Sequence, residues 1–198
     1  MQSIISEAGW PIWPLLFVSV IGLAIIVERC LSLRSKLVCP AGLAVEAVRL
    51  LRSNSLDSDS LAKLADSSLC GRVLATVLAQ RHKPVDQLRY EAELTGSDVA
   101  HEMQRYLPAL SMIATIAPLM GLFGTVVGMI EIFAAYQPGG TDPGQLARGI
   151  SIALYNTGFG ILVAIPAVIA HRLLRVRVDN LLLSIELSAR QVMTQIHP

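Results

Sequence analysis

The chain is poor in charge. Only 16% of its 198 residues are Asp, Glu, Lys or Arg, and the formal net charge is +1. A balance so near neutral provides no field to gather nucleic acid. Cysteine is scarce as well: Cys30, Cys39 and Cys70 stand apart, and their number is odd. They do not suit a disulfide framework, and no metal-ligand spacing accompanies them, so they read as free thiols. HExxH, GxSxG and P-loop patterns are missing. His82, His101, His171 and His197 are scattered. Without a nucleophile, base or metal set, the sequence does not read as an enzyme, and it calls for no cofactor or metal.

What is plentiful is apolar residues, at 53%. They gather into three runs, over 10–27, 107–136 and 149–171. Each of the last two exceeds the roughly 20 residues that span a bilayer core. A single soluble domain is therefore excluded despite the suitable length. The first run could pass for a signal peptide, but no basic region precedes it and no small-x-small cleavage site follows. Trp10 and Trp13 at its start read as anchors in the headgroup layer. No Asp, Glu, Lys or His lies near the middle of any run, although intramembrane proton paths are usually marked by such groups.

Basic residues set the orientation. Fifteen of the sixteen Lys and Arg lie within 28–106 or after His171, and the exception is Arg148. The positive-inside rule then puts the N-terminus and the PGGTDPGQ turn outside, and the long middle segment and C-terminus inside. The division is an outer N-terminus and first span (1–36), a cytoplasmic helical segment (37–106), a second span (107–136), an outer turn (137–147), a third span (148–172) and a cytoplasmic C-terminal helix (173–198). The expected fold is an all-α membrane protein with three transmembrane helices. Its last two helices extend into the cytoplasm, and a small helical segment lies between the first two spans.

Within 37–106, Asp57, Ser58 and Asp59 offer helix caps. Pro84 opens a helix whose stripe is Val85, Leu88, Ala92, Thr95, Val99 and Met103. Nothing but Pro108 stands in its way, and the helix is expected to run nearly straight on into the second span. Past the third span, Leu173, Val176, Asn180, Leu183 and Leu187 form a further stripe. These stripes either pack against the 37–83 helices and other copies of the chain or lie along the membrane surface.

The inner spans differ from simple anchors. Gly149, Ala153, Thr157, Gly160, Ala164, Ala167 and His171 make one small-residue stripe on the third span. Pro118, Gly121, Thr125, Gly128 and Ile132 make another on the second. Such stripes allow close helix packing, or they form a mildly polar wall for water or a partner. Thr125 and Thr157 either bond their own helix backbone or line that passage. Pro118 and Pro166 free carbonyls at Ala114 and Leu162 and can bend their helices. Glu131 and Arg148 lie toward the outer ends, where Glu131 is a mouth residue or a snorkelling one. His171, at the inner end, is interfacial or a proton exit.

The strings APLMGLFGTVVGM and GISIALYNTGFGILVAIPA resemble the two signature segments of the MotA/TolQ/ExbB proton-channel family. The resemblance covers most of the chain, and the order of spans is that of the ExbB/TolQ branch. It implies a bacterial inner-membrane protein forming a pentamer around a central pore, and the outer side that holds the N-terminus is then the periplasm. It implies an ExbD- or TolR-like single-span partner in that pore carrying the titrating Asp, and a TonB-like protein that passes work to outer-membrane transporters. Thr125 and Thr157 match the family's pore-facing threonines, with Gly121, Gly128, Ala153 and Gly160 beside them. One departure stands out: many relatives carry a Glu five residues before the second threonine, and here that position is Ile152. Two other roles compete, a TolQ-like part in envelope constriction and a non-conducting membrane scaffold.

Overall fold

Hydropathy sorts the helices before any packing is considered. In the computed structural model, which describes residues 9–53, 56–134 and 143–197, eight helices appear among the described residues. They are α1 (Ile12–Ser32), α2 (Ser35–Val38), α3 (Leu43–Arg52), α4 (Ser58–Ser67), α5 (Leu69–Ala79), α6 (Val85–Gln104), α7 (Leu107–Ala134) and α8 (Pro143–Ile196). Windows of mean hydropathy 2.1, 2.0 and 1.9 lie in α1, in α6–α7 and in α8, long and apolar enough to cross a membrane. The protein is an all-α membrane protein. Residues 137–142 of the expected outer turn lie outside the described residues, and α8 already begins at Pro143. Proline suits that first helical turn, because an N–H there has no partner to lose.

The chain divides into two units. The first comprises Met1–Glu28 and Tyr106–Arg172. Here Leu15 of α1 packs on Ala117 of α7 and Ala164 of α8, flanked by Met120, Phe159 and Val163. Trp10 meets Phe123 edge to face, with ring centroids 6.0 Å apart.

The second unit comprises Arg29–Arg105 and Leu173–Pro198. Its core is aliphatic: Val73, Leu74, Val77 and Leu78 of α5 are buried, with Leu88, Val99 and Met103 of α6. The α6 stripe follows the expected one, except that Val85 is exposed and Thr95 only half-buried. On α8 the buried face is Leu174, Val178, Leu181, Ile185, Ala189 and Val192. The expected stripe of Leu173, Val176, Leu183 and Leu187 is instead exposed. The helix is apolar on two adjoining faces, and the one that its own unit buries lies beside the expected stripe rather than on it. Ser68 caps α5 by accepting from the Gly71 N–H at 3.0 Å, whereas Asp57 sits at the α4 N-cap without a side-chain bond.

Against the expectation of one continuous helix, a two-residue turn, Arg105 and Tyr106, separates α6 from α7. Pro108 explains it. Its nitrogen carries no hydrogen for the Gln104 carbonyl, and its ring crowds that oxygen. Arg29, 7% exposed, directs a guanidinium nitrogen at the Glu102 and Met103 carbonyls, 3.4 and 3.3 Å away. Arg177 does the same past the end of α1, donating to the Leu33 carbonyl at 2.7 Å. Cations suit helix C-termini, where carbonyls and the helix dipole both present negative charge.

Candidate functional site

The small-residue stripes meet each other. Between α7 and α8 the backbones approach so closely that side chains would not fit. A Cβ on Gly121 would lie 2.8 Å from the Asn156 carbonyl oxygen and 3.2 Å from Gly160 Cα. One on Gly128 would lie 2.7 Å from the Gly149 carbonyl oxygen and 3.0 Å from Ala153 N. One on Gly160 would lie 2.7 Å from the Ala117 carbonyl oxygen. Lipid tails are as apolar as leucine, so burying leucine gives membrane helices little reason to associate. Close backbone packing supplies that attraction instead. The glycines therefore form a packed seam.

Thr125 and Thr157 border this seam, each half-buried. The Thr125 hydroxyl donates to the Leu122 carbonyl at 2.6 Å, within its own helix. The Thr157 hydroxyl crosses the seam toward the Gly121 carbonyl at 3.4 Å, the outer limit of a hydrogen bond. Such a weak bond leaves the hydroxyl available to another acceptor or donor. Gly121 thus ties the pair together: Thr157 reaches its carbonyl, and Thr125 lies one turn further along its helix.

Asn156 is the residue that stripe reasoning passed over. It is 1% exposed, donates to the Ile152 carbonyl at 2.8 Å, and fills the space over Gly124. A Cβ on Gly124 would come within 2.5 Å of its side chain. The available signal was an amide inside a 22-residue uncharged run, next to a threonine and facing a Gly on the other span. Ile152 is also buried, at 2% exposure.

Among the described residues, the other expected ones form no hydrogen bond with the two hydroxyls. Pro118 is half-buried and Pro166 exposed, and α7 and α8 run through them without interruption. Pro166 helps line an apolar cavity of about 200 Å³ between α1 and α8, with Ile12, Leu15, Ile113 and Phe159. Glu131 and Arg148 are exposed, and His171 is half-buried. Among the described residues, no group of three or more His, Cys, Asp or Glu is placed to hold a metal.

The arrangement is a closely packed two-helix seam with hydroxyls along its border, and neither helix carries an acid at mid-span. Residues 64–187, more than half of the chain, match the family model described as the MotA/TolQ/ExbB proton channel family. The biopolymer transport protein exbB1 of Vibrio cholerae serotype O1 is 28% identical over 193 residues, covering 94% of this chain and 84% of its own. A putative ExbB-like biopolymer transport protein of Synechocystis is 30% identical over 172 residues, covering 85% and 68%. The Tol-Pal system protein TolQ of Haemophilus influenzae is 38% identical over 78 residues, covering 39% and 34%.

Proposed function

The chain belongs to the MotA/TolQ/ExbB proton channel family, in its ExbB-like branch, and from that premise we propose that it is the wall-forming subunit of an inner-membrane motor. In this reading the motor uses the proton motive force to energise outer-membrane transport through a TonB-like protein. Copies of the chain, five by the family's pattern, surround the single-span helices of an ExbD- or TolR-like partner. The N-terminus lies in the periplasm, and the 37–106 segment and C-terminal helix lie in the cytoplasm.

One observation carries this reading. The glycine seam fixes α7 against α8 and leaves the hydroxyls of Thr125 and Thr157 at its border. A passage for protons needs a wall that does not deform and groups that hold water without titrating, and this border has both properties. With Ile152 buried and apolar, the acid that takes and releases protons comes from the partner. A charge crossing 100 mV yields about 2.3 kcal/mol, so useful work takes several protons. The exposed Leu173, Val176, Leu183 and Leu187 of α8 offer a second apolar face for neighbouring copies.

Thr157→Val tests the reading, because it keeps the volume and removes the hydroxyl. Energised uptake is expected to fall to background, while complex assembly on native gels stays unchanged. Normal uptake by the variant would return the chain to the role of a packing scaffold. The match to TolQ, more identical though shorter, favours a second role in envelope constriction. Complementation of strains lacking either system separates the two.

A further inference from the structure

Outside the membrane unit, two thiols that the sequence sets 31 positions apart come together. Cys39 directly follows α2, and Cys70 lies in the first turn of α5. Their sulfurs are 2.9 Å apart, and the Ser188 hydroxyl of α8 lies 3.8 Å from Cys39 Sγ. Cys70 is fully buried, Cys39 is half-buried, and Cys30 is exposed. We propose that Cys39 and Cys70 are a redox site, a dithiol that closes reversibly to an intramolecular disulfide.

A sulfur–sulfur bond is about 2.05 Å long, so closure needs a movement of only about 1 Å. The accessible partner reacts first. Cys39 as thiolate attacks a peroxide oxygen, the O–O bond breaks, and Cys39 becomes a sulfenic acid as hydroxide leaves and takes up a proton to form water. The Cys70 sulfur then attacks that sulfenic sulfur. Its S–H proton leaves with the hydroxyl as a second water, and the S–S bond forms. In sum two thiols and one hydrogen peroxide give one disulfide and two waters. Burial, reinforced by the neighbouring Cys39 thiol, pushes the Cys70 thiol up to about 12, which fits its acting second. A dithiol reductant reverses the bond by exchange. The closed loop holds α3 and α4 and joins the end of α2 to α5. That the pair rests in the reduced form follows from the cytoplasmic placement of 37–106 proposed above, but the capacity to close does not depend on it.

The experiment uses full-length protein in native membranes carrying Cys30→Ser, which leaves two thiols. Membranes are treated with hydrogen peroxide, quenched, denatured and titrated with a maleimide-polyethylene glycol. The count is expected to fall from two to zero and to return to two with dithiothreitol, with the chain monomeric on non-reducing gels. Proteolytic cuts between positions 39 and 70 should leave fragments joined until reductant is added, a readout that needs no cysteine variant. Two thiols surviving peroxide would overturn the proposal. So would a loss that dithiothreitol does not reverse, or disulfide-linked dimers in place of the closed monomer. Membranes first reduced with dithiothreitol and washed start at two thiols wherever this segment lies, so failure of the motor reading would leave the response to peroxide unchanged.

Discussion

The two units of the chain are held together by opposite means. In the membrane unit α7 and α8 touch through Gly121, Gly128, Gly149 and Gly160, and most large side chains point away from the protein. Only 17%, 22% and 33% of the residues in the three hydropathic windows are buried. In the other unit the contacts are made by Leu74, Leu78, Leu88 and their neighbours, all buried. The difference follows from solvent. Water drives aliphatic side chains inward at about 25 cal/mol per Å². Lipid gives no such drive, so removing side chains is what lets helices meet.

Substitutions that exchange the two strategies should expose this contrast most sharply. Leu74→Ala opens a cavity in the aliphatic core and is expected to cost about 2–5 kcal/mol, read as a loss of thermal stability in detergent. Gly121→Leu is expected to cost about 3 kcal/mol, because its side chain meets α8 backbone. Gly158→Leu, where nothing lies within 4 Å, serves as the control and should be neutral. Equal effects at the two glycines would break the comparison. Arg29→Ala removes the donor to the α6 carbonyls and should cost about 2 kcal/mol, with faster amide exchange in residues 99–105. The smallest effect lies on the surface, at the 3.0 Å pair of Lys83 and Glu91. The Lys83 ammonium, by its hydrogen bond and charge, holds the Glu91 carboxyl below the usual 4.5. A depressed carboxyl stabilises the fold above its unfolded value and loses that contribution as pH falls through the folded one. Lys83→Ala should move the Glu91 titration back up, as read by carboxyl NMR, with little change in stability.

The same contrast explains what could be read from sequence. The spans were legible because an uncharged run such as 107–130 has no other stable use, and the glycine stripes because periodicity survives in a single helix. The C-terminal register was not. Leu173, Val176, Leu183 and Leu187 are as apolar as Leu174, Val178, Leu181 and Ile185, and a helix apolar on both faces does not announce which one its neighbours cover. Asn156 escaped because it lies one residue off the small stripe, so only the partner helix reveals that Gly124 receives it. The helix-end roles of Arg29 and Arg177 were hidden too, since each acts on carbonyls more than 70 positions away. The Cys39–Cys70 pair was hidden because its two thiols lie 31 positions apart, one just past α2 and the other on α5.

The leucine and valine rail left open along the far part of α8 has an outcome for the cell. With the cytoplasmic placement proposed above, a solitary copy would display to water the greasy surface by which proteases and chaperones recognise unfinished proteins. If the chain works in the proposed assembly, copies made in excess of their companions should be short-lived, and the abundance of that assembly would follow its scarcest component.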